Sequence, residues 1–158
     1  MATANKSLSD YSSKNIQDIS ERKFAIVVSE WNEDVTEALY SGAYQTLLQH
    51  GAKKENVIRK NVPGSFELSL GAQWCAQDES IDAVICLGCV IQGETRHFDF
   101  ICDAVAHGIT NVGLKYNKPV IFGVLTPDNQ QQALDRAGGK HGNKGDEAAI
   151  TAIKMLGL

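Results

Sequence analysis

No apolar run in this 158-residue chain approaches the roughly 20 residues that a membrane-spanning helix requires. The first stretch, Met1 to Lys23, is polar and lacks the apolar centre of a signal peptide, so the expected location is the cytoplasm. Excess positive charge is also missing: 15 Lys and Arg face 19 Asp and Glu, a net charge of −4. Proteins that track phosphate backbones or anionic lipid carry a basic surface, so neither nucleic acid nor a membrane is the expected partner. A small anion remains possible, because a few local cations and N–H groups suffice to hold one. There is no internal repeat, no low-complexity segment, no P-loop and no dinucleotide fingerprint. The length is too short for two ordinary domains, yet 43% hydrophobic residues can build one full core.

What is present is an alternation of strands and helices. Residues 1–22 are Ser-, Lys-, Asp- and Asn-bearing without a period and read as a loose polar arm; residues 23–158 read as a single domain. Phe24-Ala-Ile-Val-Val28 is a short continuous apolar run, the mark of a strand covered on both faces. Asn32 is placed to cap a helix with Glu33 and Asp34 in its first turn. Val35, Leu39, Ala43 and Leu47 form an i,i+4 row in that helix, and Gly51 stands where a C′ glycine belongs. Val57–Val62 reads as a more exposed strand, Pro63-Gly64 as a turn, and Ser65 as the cap of a helix reaching Gln77. Ala83–Leu87 is a third strand and Pro119–Leu125 a fourth. Between them Phe98, Ile101, Cys102, Val105, Ile109 and Val112 share one helical face. Thr126-Pro127-Asp128 predicts a helix start that Gly138-Gly139 ends, and a last helix runs from about Lys144. Strands alternating with helices imply a parallel sheet covered on both sides. Ligands of such sheets bind beyond the carboxyl ends of the strands. Four strand-end loops then share one edge: 30–33, 63–67, 88–97 and 126–129.

The richest of these loops is Gly88-Cys-Val-Ile-Gln-Gly-Glu-Thr-Arg-His97. A Gly-containing turn that leaves a strand and opens a helix aims free backbone N–H groups and the positive end of the helix dipole at one point. Gly93, Glu94 and Thr95 offer those groups and a hydroxyl to phosphate oxygens, unless Thr95 merely caps the helix. His97 stands at the same point and can exchange a proton near neutral pH. Phe66 can stack on a flat ring and Glu67 can accept from ring N–H groups or a polyol. Trp31, beside Asn32, and Phe122 are either stacking platforms or core. Arg136 is a bidentate phosphate partner or a solvated charge at a helix end. Lys140-His-Gly-Asn-Lys-Gly145 is a basic, glycine-rich loop that either touches a phosphate or a neighbouring subunit, or simply connects two helices.

Cys86 and Cys89 make a C-x-x-C, and with Cys102 and His97 they number four potential zinc ligands. Cys86 lies inside an apolar strand and Cys102 on an apolar helical face, where Cys acts as a small hydrophobe. A redox C-x-x-C prefers a helix N-terminus, which Cys89 precedes by several residues. No metal is therefore expected.

As a set, Trp31-Asn32, Pro63-Gly-Ser-Phe-Glu67, Gly88 to His97, Phe122-Gly-Val-Leu-Thr126 and Arg136 to Gly145 resemble the lumazine synthase family from Phe24 to about Leu156. The resemblance implies a flavodoxin-like fold, a four-stranded parallel sheet between helices. It implies condensation of 5-amino-6-(D-ribitylamino)uracil with 3,4-dihydroxy-2-butanone 4-phosphate, without metal or organic cofactor. Trp31 and Phe122 are then expected to flank the pyrimidine, and Asn32, Ser65, Phe66 and Glu67 to bind it and its ribityl chain. Val90 and Ile91 join the substrate-binding set. Glu94, Thr95 and Arg136 are expected to hold the phosphate, the first two chiefly by backbone N–H, and His97 to move protons; Lys144 also matches a site position. The family site lies between subunits, with Phe122, Arg136 and Lys144 supplied by the neighbour. Pentamers are implied, and the short Gly-Gly-Lys-His-Gly-Asn loop resembles that of members assembling into sixty-subunit shells. A non-catalytic flavin- or lumazine-binding module, or a structural shell protein, is the alternative on the same fold.

Overall fold

The computed structural model describes residues 17–158. Four parallel strands, β1 (Phe24–Ser29), β2 (Val57–Val62), β3 (Ala83–Cys89) and β4 (Val120–Leu125), form one sheet in the order β2-β1-β3-β4. The chain moves outward from β1 to β2, then crosses back to place β3 on the other side of β1. That reversal is the topological switch point of a flavodoxin-like α/β sandwich, and it opens a crevice between the ends of β1 and β3.

Period-2 alternation sorts the strand residues between two cores. Phe24, Ile26, Val28, Ile85, Leu87 and Leu125 face one layer, made by α1 (Glu33–Gln49) and α5 (Lys144–Met155). Ala25, Val27, Val84, Cys86 and Val124 face the other, made by α2 (Leu68–Gln77) and α3 (His97–Tyr116). The predicted row Val35, Leu39, Ala43 and Leu47 is fully buried on α1. Burying each Val or Leu of that row stabilises the fold by about 1.5–3 kcal/mol. On α3 the buried residues are Val105, Ile109 and Val112; Phe98, Ile101 and Cys102 are only partly covered. Helix α1 ends as expected: Gly51 adopts φ +100°, and Ala52 N–H returns to the Leu47 carbonyl at 3.0 Å.

Three local readings are corrected. Ser65 caps nothing; it opens a 3₁₀ turn over Ser65–Glu67, and α2 begins at Leu68. Thr126 does not start a helix either. The β4 exit stays extended because Gln92 N–H pairs with the Pro127 carbonyl at 2.9 Å, prolonging the sheet ladder. Helix α4 (Gln130–Asp135) starts later, capped by the Asn129 side chain, which accepts from Gln132 N–H at 3.0 Å. The segment after it is no plain connection but a hairpin, β5 (Ala137–Gly139) with β6 (Gly142–Asn143). Gly138 and Gly142, at φ +108° and +78°, supply its left-handed backbone positions.

Residues 1–16 of the polar arm lie outside the described residues. Residues 17–22 are docked: Ile19 is fully buried, Arg22 pairs with Asp82 at 2.9 Å, and Gln17 donates to the Ile153 carbonyl at 3.3 Å.

Candidate functional site

At the carboxyl edge of the sheet, backbone hydrogen bonds continue the ladder past the last strand residues. Glu30 N–H donates to the Val62 carbonyl at 2.9 Å and Trp31 N–H to the Pro63 carbonyl at 3.1 Å. Val90 N–H donates to the Leu125 carbonyl at 2.8 Å. The β1 and β3 loops, which no backbone rung joins at this level, are bridged by a side chain: Asn32 Nδ2 donates to the Cys89 carbonyl at 2.9 Å. Asn32 occupies the N-cap position of α1, as read from sequence, but with φ 62° and ψ 48° and no side-chain capping bond. Its carbonyl starts the helix, accepting from Val35 N–H at 2.9 Å and Thr36 N–H at 3.1 Å.

These bonds bring Trp31, Asn32, Ser65, Phe66 and Glu67 to the same edge as Val90, Ile91 and the Glu94–His97 turn. Trp31 is 73% exposed and Phe66 55%. Two large exposed aromatics at adjoining strand ends form open faces rather than core. Ser65 is buried, and its Oγ meets no hydrogen-bond partner. The 3₁₀ turn that carries it presses on β3 so closely that a Cβ on Gly88 would lie 2.6 Å from Ser65 Oγ and 2.9 Å from Leu68 Cδ1. Glycine at 88 is therefore required by space.

Among the described residues, the backbone N–H groups of Gly93, Glu94, Thr95 and Arg96 donate to no protein acceptor. Arg96, not Thr95, is the N-cap of α3; Thr95 Oγ1 instead accepts from His97 N–H at 3.4 Å. A Cβ on Gly93 would meet no atom within 4 Å, so open space lies over the turn. Free N–H groups at the head of a 20-residue helix are suited to an anion, and exposed His97 opens that helix.

Phe122, Arg136 and Lys144 stand apart from this edge. Phe122 lies in the middle of edge strand β4, opposite Cys86, and is 37% exposed. Arg136 is not the solvated helix-end charge that its position allowed. Its Nη2 donates to Glu147 Oε1 at 2.7 Å, and its Nη1 donates to the His141 carbonyl. Lys144 Nζ donates to the other carboxylate oxygen of Glu147 at 2.9 Å. The Glu147 side chain is 5% exposed. Burial raises its proton affinity, but the hydrogen bonds from Arg136 and Lys144 prevail and hold it below the usual glutamate value. Sequence reasoning missed Glu147; its spacing of three residues from Lys144 on one helix was the available signal. The side-chain hydrogen bonds of Arg136 and Lys144 stay within residues 136–147. One chain thus carries two separate groups of candidate residues.

The cysteines are poor ligands and poor nucleophiles. Cys86 and Cys89 face opposite cores, Cys86 toward α2 and α3, Cys89 toward α1 and α5. Burial pushes the Cys89 thiol up to about 11 and the Cys86 thiol further still.

A family model described as 6,7-dimethyl-8-ribityllumazine synthase matches residues 21–158. The 6,7-dimethyl-8-ribityllumazine synthase of Cytophaga hutchinsonii is 70% identical over 156 residues, 99% of this chain and 98% of its own length. Proteins of the same name from Parabacteroides distasonis and Flavobacterium johnsoniae are 55% and 54% identical, covering 99% and 98% of this chain and 98% and 82% of their own lengths. With a family match over the whole sheet edge and the Arg136–Lys144 segment, the chain belongs to the 6,7-dimethyl-8-ribityllumazine synthase family.

Proposed function

We propose that the chain condenses 5-amino-6-(D-ribitylamino)uracil with 3,4-dihydroxy-2-butanone 4-phosphate to 6,7-dimethyl-8-ribityllumazine, releasing phosphate and water, the penultimate step of riboflavin biosynthesis. The observation that carries this reading is the set of unused N–H groups at Gly93–Arg96 beside His97, on the same sheet edge as Trp31 and Phe66. One end of the edge suits a leaving phosphate, the other a flat heterocycle.

In this reading Glu94 and Thr95 hold the phosphate through backbone N–H, since the Glu94 carboxylate itself would repel it. His97 carries protons as the imine forms and phosphate departs. Trp31 stacks on the pyrimidine; Ser65, Phe66, Glu67, Val90 and Ile91 bind the ring and ribityl chain, with Asn32 at the same loop. Holding both substrates side by side supplies much of the rate by proximity. Phe122, Arg136 and Lys144 complete the site from a neighbouring copy, Phe122 covering the open face of the ring and Arg136 pairing with phosphate. Self-association into pentamers is part of this reading, with the short Gly138–Asn143 hairpin as the segment that packs pentamers into a sixty-subunit shell. Four free thiols fit a reducing compartment, the cytoplasm.

Mixing the two substrates with the protein tests the reading. Growth of lumazine absorbance and fluorescence together with stoichiometric inorganic phosphate is expected. Tight riboflavin binding without turnover would identify a binding module instead.

A further inference from the structure

We infer that Asn32 is a positioning residue: its amide holds the β1 loop, and with it Trp31, against the carbonyl of Cys89 at the exit of β3.

The β1–β3 ladder ends at the pair Val28 and Leu87, while β1 pairs with β2 one residue further, to Ser29 and Val62. Beyond that point the crevice of the switch point opens, and nothing in the backbone holds its two lips together. Asn32 Nδ2 supplies the missing rung at 2.9 Å from the Cys89 oxygen. Cys89 is 1% exposed, so water is not at hand to replace the bond. Only an N–H of this amide can face a carbonyl oxygen, so the orientation of the amide is fixed, and one of its two N–H donors is committed to the protein.

The backbone at Asn32 explains why the residue is asparagine. At φ 62° and ψ 48° most side chains are strained; glycine is at ease there and asparagine is among the best tolerated of the others. Glycine would keep the turn and lose the rung. Aspartate would keep the turn and set an anion against the carbonyl. Trp31, the preceding residue, is held on its other side by its own N–H to the Pro63 carbonyl. Besides a bond from Ser29 Oγ to the Trp31 carbonyl at 3.5 Å within its own turn, the indole platform hangs between two bonds to neighbouring strands, one to the β2 exit and one, through Asn32, to the β3 exit. The phosphate turn is anchored independently, by Gln92 N–H on the Pro127 carbonyl.

The inference rests on the substrate reading of this edge, and two measurements separate its failure from failure of that reading. Asn32→Gly and Asn32→Asp are made in a Trp74→Phe background, which leaves Trp31 as the single indole of a chain with two Trp. In ligand-free protein, both variants are expected to lower Trp31 anisotropy and shift its emission relative to the background. In kinetics, the KM for the aminopyrimidine rises about ten-fold, the cost of one lost hydrogen bond, while the KM for the phosphate-bearing substrate stays within about two-fold. Unchanged Trp31 emission and anisotropy in ligand-free Asn32→Gly overturns the inference whatever the kinetics show. Two KM values rising together also overturns it, because general loosening of the fold has no reason to spare the phosphate turn.

Discussion

Arg136 and Lys144 each hold one oxygen of the same carboxylate, Glu147, at 2.7 and 2.9 Å. One acid thereby sets two cations side by side with their charges partly offset. The bridge is more than local repair. Lys144 opens α5 and Arg136 ends α4, so Glu147 ties the hairpin between them to the helix that packs on α1.

Removing that carboxylate leaves two cations that are only about one fifth exposed facing each other. Glu147→Ala is expected to destabilise the fold by about 2–3 kcal/mol. Glu147→Gln, which keeps the side-chain shape and one accepting oxygen, should cost less. Urea unfolding at fixed protein concentration measures both. Equal stability of wild type and Glu147→Ala would show that the triad contributes nothing to the fold.

Two adjacent carboxylates on α5 should respond to pH in opposite senses. Glu147 is held below its ordinary value, as its bonds to Arg136 and Lys144 outweigh burial. Its contribution is present above the unfolded glutamate pKa of about 4.3 and is lost as pH falls through the lower folded value. Asp146 is pushed up by burial, partly opposed by a hydrogen bond from Thr46 and reinforced by the charge of Glu147. It prefers its proton in the folded state, so its penalty is full at neutral pH and fades as pH falls toward the unfolded aspartate value of about 3.9. Asp146→Asn should therefore raise the melting temperature at pH 7 and leave it nearly unchanged near pH 4. Glu147→Gln should lower it at pH 7, with the difference shrinking only below about pH 4. Thermal scans of three proteins at two pH values decide the matter.

Much of this architecture is legible in the chain itself. The three apolar runs and the more exposed stretch Val57–Val62 become the four strands, and the α1 row at Val35, Leu39, Ala43 and Leu47 is buried as its spacing requires. Two of the failures, at Thr126 and Asn32, come from a tertiary bond outbidding a good local signal. Thr126-Pro127 has the chemistry of a helix start, but the Pro127 carbonyl is taken by Gln92. Ser65 has the chemistry of a cap, but the 3₁₀ turn buries its hydroxyl against Gly88. Asn32 sits where a capping side chain belongs and spends its amide on Cys89 instead. The hairpin at Ala137–Asn143 hid behind its glycines, which serve equally as helix stops. In the site, the anion turn was readable because it is local in sequence. The partner of Arg136 was not, since Glu147 lies eleven residues away across a hairpin.

Ser65 offers a sharper test of the pyrimidine side. Its Oγ is buried without a partner, a state that costs the free protein about 1–3 kcal/mol. Ser65→Ala should therefore leave stability unchanged or raise it. If the hydroxyl waits for the substrate, the same change raises the KM for the aminopyrimidine several-fold without altering that for the phosphate substrate. A more stable variant with unaltered kinetics would reduce Ser65 to a packing residue.

His97 opens α3 beside the unused N–H groups, whereas Arg136 lies in the separate Glu147 triad. If a productive site takes its His97 side from one copy and its Arg136 side from the next, two inactive variants can complement one another. His97→Ala is expected to lower turnover by about 10²-fold with assembly intact, and Arg136→Ala to raise the KM for the phosphate substrate. In random hybrid rings formed from equal amounts of the two, about one interface in four pairs an intact His97 side with an intact Arg136 side. Activity should then recover to about a quarter of wild type once subunits have exchanged, with each variant alone remaining inactive at limiting phosphate substrate. Recovery is impossible if both residues serve the same site from within one chain. Following turnover during co-refolding, with each variant refolded alone as the reference, separates the two arrangements.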